Sequence, residues 1–152
     1  MAASIRETTV KYLSGTVSMK AFVAAPVTNE KRPAIIVIQE WWGLTEHIKD
    51  IAKRYAAEGY VAIAPDLYSR LDHALTTDPA EAGKLMNALK QEDGIKDLIA
   101  TVGYIKSSPE VDRTRIGVTG FCMGGSYALL LPCVSADIKA TVPFYGQVPN
   151  PD

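Results

Sequence analysis

The sequence is poor in cysteine, in net charge and in long apolar runs, and it has no histidine after position 122. Each shortage excludes something. Cys122 and Cys133, the only cysteines, stand eleven positions apart, a spacing that fits neither a CxxC redox pair nor a four-ligand zinc site. The 16 basic and 17 acidic residues are scattered and nearly cancel, leaving a net charge of -1, so no broad field attracts nucleic acid or an anionic membrane. The opening MAASIRETTVKYLSG has no apolar core of signal-peptide length, and no window approaches the ~20 apolar residues of a membrane span. A cytoplasmic protein with neither nucleic-acid nor membrane partners is expected.

What is present is the composition of one ordinary domain: 152 residues, 47% hydrophobic and 22% charged, enough to bury a single core. Ile5 to Val23 alternates loosely around Ser14-Gly15, as a half-buried antiparallel hairpin does. Ala34 to Gln39 (AIIVIQ) is a continuous β-branched run, the signature of a strand covered on both faces. Thr45 caps a helix with Ile48, Ile51, Ala52, Tyr55 and Ala56 on one face, and Gly59 ends it. Tyr60 to Ala64 is the next strand. Asp78, Pro79 and Glu81 open a helix carrying Leu85, Met86 and Leu89, which Asp93-Gly94 is expected to interrupt. A helix from Ile95 to Ile105, a strand at Arg115 to Thr119, a helix from Gly120 to Leu131 and a strand at Ala140 to Tyr145 complete the order. Pro143 suggests that the last strand ends or bulges there. Strands alternating with helices predict an α/β, doubly wound, mostly parallel sheet, with ligands bound beyond the carboxyl ends of its strands.

One motif stands at such an end. Gly120-Phe-Cys122-Met-Gly124-Gly125 falls where a strand gives way to a helix, the context of a nucleophile elbow with cysteine in place of serine. A nucleophile on so tight a turn leaves no room for side chains two positions before or after it, and Gly120 and Gly124 meet that demand. At a helix start the unpaired N–H groups and the macrodipole stabilise a thiolate, and the Met123 N–H points toward a developing oxyanion. A buried structural cysteine followed by packing glycines is the alternative; the strand-to-helix context favours the nucleophile. Cys133, past Pro132 with no partner in reach, reads as structural.

Three segments together resemble the dienelactone hydrolase family of α/β-hydrolases: Val37-Ile-Gln-Glu40-Trp-Trp-Gly43, Gly59-Tyr-Val-Ala-Ile-Ala-Pro-Asp-Leu-Tyr68 and Arg115-Ile-Gly-Val-Thr-Gly-Phe-Cys-Met-Gly-Gly125. The resemblance runs from about Ile5 to Gly146. It implies that Cys122 is the nucleophile and that Glu40 contacts the thiol in the resting enzyme and helps set its protonation. It further implies that the backbone N–H groups of Trp41 and Met123 form the oxyanion hole and that Trp42 and Tyr145 line the substrate cleft. A carboxylate closing an apolar buried strand, as Glu40 does, is costly unless something requires it, which agrees with that role. Where family members that act on dienelactone carry an arginine for the substrate carboxylate, this sequence has approximately Pro79.

In this fold the catalytic order is nucleophile, acid, histidine. Here His47 and His73 precede Cys122, so either would need a rearranged triad. Asp137 leads into the last strand from the far end of the sheet, and Asp152 is the terminal residue. The 152 residues are therefore expected to form one C-terminally incomplete domain. Its open final strand would favour self-association or pairing with a complementing C-terminal fragment. The expected activity is hydrolysis of a small ester or lactone, with no metal and no cofactor. A binding or assembly module built on the same cleft is the alternative, and a thiol redox sensor ranks below both.

Overall fold

A computed structural model describes residues 4–148 of the chain. Six strands form one sheet: β1 (Ile5–Ser14), β2 (Val17–Pro26), β3 (Arg32–Ile38), β4 (Val61–Pro65), β5 (Val111–Phe121) and β6 (Ile138–Phe144). Their spatial order is β1-β2-β4-β3-β5-β6. β1 and β2 are the expected hairpin, turning at Gly15 with φ 60°. β2 meets β4 antiparallel, while β4, β3, β5 and β6 run parallel. All carboxyl ends of those four strands therefore point the same way.

Four helices cover this sheet: α1 (Glu46–Ala57), α2 (Pro79–Ala88), α3 (Gln91–Ser107) and α4 (Met123–Val134). Because side chains alternate along a strand, the central strands contribute to two cores. Ile35, Val37, Ala62, Ala64 and Phe22 pack against Ile48, Ile51, Ala52 and Ala56 of α1. Ile36, Ile38, Ile63 and Val118 pack on the other face against Leu98, Val102 and Ile105 of α3 and Tyr127, Ala128 and Leu131 of α4. Each large aliphatic side chain fully buried this way contributes roughly 1.5–3 kcal/mol.

Local signals held where the chemistry was local. Thr45 caps α1, its hydroxyl accepting from the Ile48 N–H at 3.4 Å, and Gly59 closes the segment at φ 98°. Asp78 caps α2 by accepting from Ala80 and Glu81 at 3.4 and 3.3 Å.

One expectation changes and one is narrowed to the first of its two alternatives, a strand end at Pro143. The break after α2 falls at Leu89 and Lys90, both extended, and Gly94 lies inside α3. Gly94 is no breaker: a side chain there would run into the Tyr127 ring of α4, with Cε1 at 2.7 Å. Pro143 sits one residue before β6 ends, opposite Gly120, and causes no bulge; the register shift lies between Ile116 and Gly117. β6 pairs only with β5 among the described residues, so on an edge a missing N–H costs nothing.

Candidate active site

The ends of β3, β5 and β6 lie side by side, and the predicted residues cluster there. Cys122 stands between β5 and α4 at φ 58°, ψ −118°, a conformation that costs of order 1–3 kcal/mol outside glycine. The turn is held by its neighbours. The Cys122 N–H donates to Phe144 O at 3.1 Å, and Cys122 O accepts from Gly125 and Ser126 at 2.9 and 3.3 Å.

The glycines make this possible. A Cβ on Gly120 would collide with the Gly124 carbonyl, one on Gly124 would sit 2.5 Å from Ile38 O, and one on Gly125 would sit 2.5 Å from Phe144 O. Gly124 thus lets α4 begin directly against the end of β3, and Gly125 does the same for β6. The motif reads as an elbow in space as well as in sequence. Met123 is the first residue of α4.

Glu40 follows β3 and closes a small bridge with Gly43, whose N–H donates to Glu40 O at 3.3 Å. Its carboxylate accepts a 2.7 Å hydrogen bond from the Tyr145 hydroxyl. No hydrogen bond joins Glu40 to the Cys122 thiol among the described residues. Tyr145 lies just beyond β6 at φ 38° and is exposed. Its phenol is pushed up to about 12, first because it donates a hydrogen bond to the Glu40 carboxylate, then by burial and by the charges of Glu40 and Cys122. Trp41 and Trp42 pack edge to face with centroids 5.2 Å apart, and both are half-buried.

Two neighbouring residues and the cavities beside them were not singled out in the sequence. Gln39 is fully buried and accepts from Leu67 N–H at 3.0 Å, tying the end of β3 to the segment after β4. Tyr68, also fully buried, donates to Trp41 O at 2.8 Å and lies 3.7 Å from Met123 Sδ. Beside the first turns of α4 a cavity of about 220 Å³ is lined by Met86, Leu89, Gln91, Met123, Ser126, Tyr127 and Leu130, none of them charged. A larger cavity of about 360 Å³ between α1 and the Phe121–Phe144 stack carries no nucleophile.

Other candidates lie elsewhere. His73 pairs through Nδ1 with Asp66 Oδ2 at 3.0 Å. That pair, of the right types for a catalytic dyad, faces a small cavity walled by Thr9, Lys20 and Phe22 of the hairpin, on the β4 side of β3. His47 is in the first turn of α1. Asp137 binds Lys106 at 3.1 Å ahead of β6, at the opposite end of the sheet. Cys133 is exposed. Asp152 lies outside the described residues. Among the described residues no group of three or more His, Cys, Asp or Glu side chains could hold a metal ion, and no helix is long and apolar enough to cross a membrane.

Known proteins are similar to this chain in sequence and in fold. A Synechocystis sp. protein that bears a provisional carboxymethylenebutenolidase name is 36% identical over 151 residues, covering 96% of this chain and 61% of that protein. Protein usf of Aquifex pyrophilus is 37% identical over 146 residues, 90% of this chain and 60% of its own length. A crystal structure from Klebsiella pneumoniae, provisionally named a dienelactone hydrolase, superposes with a TM-score of 0.87 at 31% identity over 97% of this chain and 62% of that one. The chain thus spans about 60% of the length of these relatives, and its sheet is of the α/β-hydrolase type. With residues 19–152 matching the Dienelactone hydrolase family, the chain belongs to that family.

Proposed function

We propose that this chain carries the nucleophilic half of a hydrolase for small esters or lactones, with Cys122 as the nucleophile. The observation that supports it is the Cys122 backbone, held at φ 58° by three glycine crossings where a reactive side chain must stand clear of the strand and the helix. In the reaction, the thiol proton passes to Glu40 as Cys122 Sγ bonds to the substrate carbonyl carbon. The charge that develops on the carbonyl oxygen is met by the N–H groups of Trp41 and Met123. Collapse breaks the acyl C–O bond, and the leaving alkoxide takes the proton back. Water then cleaves the thioester, releasing the acid and restoring the thiol.

The substrate-facing residues in this reading are Trp42 and Tyr145. With Pro79 where relatives acting on dienelactone have an arginine, and an uncharged cavity beside α4, an uncharged acyl group fits better than one bearing a carboxylate. The reaction as written needs neither metal nor cofactor. Free thiols at positions 122 and 133 suit a reducing, cytoplasmic setting.

Hydrolysis of the thioester needs a base, and the sequence has no histidine after Cys122. We infer that the acid and histidine would come from chain that adds to β6, forming one domain with residues 1–152. Exposed Val142, Phe144 and Val148 mark that edge. The same edge favours the second reading, a binding or assembly module that associates with itself or with a complementing fragment. The deciding experiment is reaction with an activated aryl ester, followed by mass spectrometry of Cys122. Acylation that is lost in Cys122→Ala and slowed in Cys122→Ser supports the nucleophile, and acylation without turnover supports an incomplete site. Labelling unchanged by Cys122→Ala removes Cys122 from the chemistry.

A further inference from the structure

The elbow and the β3 end contribute one oxyanion donor each in the reading above, and the two donors come from segments 82 residues apart in the chain. Something must fix their relative position, because an oxyanion hole works by having its dipoles placed before charge develops. One side chain touches both. Tyr68 places its hydroxyl 2.8 Å from Trp41 O and 3.7 Å from Met123 Sδ. The hydroxyl has a single proton, so at these distances the carbonyl takes the hydrogen bond and the sulfur makes a packing contact.

The surroundings make Tyr68 a rigid strut. Its ring is fully buried. Its own N–H donates to Asp66 Oδ1 at 2.9 Å, and its carbonyl accepts from Leu71 and His73 at 2.8 and 2.9 Å. At the other end, three successive carbonyls of the β3 turn are each occupied: Glu40 O by Gly43 N–H, Trp41 O by Tyr68 and Trp42 O by Thr76 N–H at 3.1 Å. Of those three ties, only the one from Tyr68 is made by a side chain. Burial raises the phenol above its ordinary value, so it remains a proton donor throughout the neutral range.

We propose that Tyr68 is a positioning residue that sets the Trp41 peptide against the Met123 side of the elbow and so fixes the spacing of the two oxyanion donors. The proposal rests on the hydrolase reading for its consequence, but its structural content can be tested separately. Tyr68→Phe keeps the ring and its packing and removes only the hydroxyl.

Two rates are compared in the wild type and in Tyr68→Phe: acylation of Cys122 by 4-nitrophenyl acetate, which develops an oxyanion, and alkylation by iodoacetamide, which does not. Removing an oxyanion donor outright lowers rates by about 10²–10³; loosening one should lower acylation about tenfold and leave alkylation within about twofold. Amide hydrogen exchange at Gly43, whose N–H closes the same turn on Glu40 O, is followed in both proteins and should accelerate in the variant. A variant in which 3,5-difluorotyrosine replaces Tyr68 retains the hydroxyl and should keep the wild-type rate ratio; it also serves if Tyr68→Phe does not fold.

Equal losses in both rates, or no change in either rate together with unchanged exchange at Gly43, overturn the proposal. If the wild type is alkylated but never acylated, the hydrolase reading is what fails. Exchange at Gly43 then decides the strut alone: acceleration in the variant upholds it and no change overturns it.

Discussion

The elbow end of β5 and the outer edge of β6 lie one strand apart and could hardly be built more differently. At the elbow, Gly120, Gly124 and Gly125 bring backbone against backbone, and the N–H and C=O of Cys122 are both paired within the chain. Along β6, five of seven residues are exposed, including Val142 and Phe144, and pairing is one-sided among the described residues. The turn around Cys122 is thus fixed by close backbone packing, whereas the edge beside it has apolar surface and backbone groups to offer.

The contrast is broken most severely at Gly124. An added methyl would meet the Ile38 and Gln39 carbonyls, which cannot move without shifting β3, so Gly124→Ala is expected to cost about 3 kcal/mol. Val142→Thr on the exposed edge should stay within about 0.5 kcal/mol. Urea denaturation of the two variants gives the comparison directly, and similar midpoints would mean the elbow is not the closely packed region described here.

A smaller effect of opposite sign is expected at Cys122. Glycine accepts φ 58°, ψ −118° without the Cβ conflict that cysteine bears. After the larger entropy loss of glycine on folding is subtracted, Cys122→Gly should stabilise the protein by about 1 kcal/mol while abolishing acylation. A lowered urea midpoint would show that the turn is not strained at this position. A raised one would show that stability has been given up there for the reactive side chain.

How much of this was legible in the sequence depends on how far each interaction reaches. The Thr45 and Asp78 caps act over two or three residues, and the β-branched run at β3 declares its own burial, so these were readable. The tight strand-to-helix turn was readable because its three glycines and Cys122 lie within six residues. Gly94 was misread as a break because the reason for it, the Tyr127 ring, lies on another helix. The partners of Glu40 and Trp41 were equally hidden: Tyr145 is 105 residues from Glu40, and Tyr68 is 27 from Trp41. Composition and periodicity identify which residues are polar and buried, but only the strand order says which of them meet.

The mildest test concerns the Tyr145–Glu40 hydrogen bond, which ties the end of β6 to the turn after β3. The neutral phenol donates to the carboxylate, and ionising it would place two negative charges together, so Tyr145 is raised to about 12. The folded value lies above the usual value of about 10. Any stabilisation from this bond is therefore fully present below about pH 10 and is lost as pH rises through about 12. Tyr145 is largely exposed, so the effect is expected in titration far more than in stability. Glu40→Gln removes the charge and keeps an acceptor, and should bring the Tyr145 phenol back toward its ordinary value. Alkaline difference absorbance against Tyr145→Phe isolates this phenol from the other six tyrosines. An unchanged titration in Glu40→Gln would mean that the carboxylate does not hold Tyr145, leaving the Cys122–Phe144 backbone hydrogen bond to fix the end of β6.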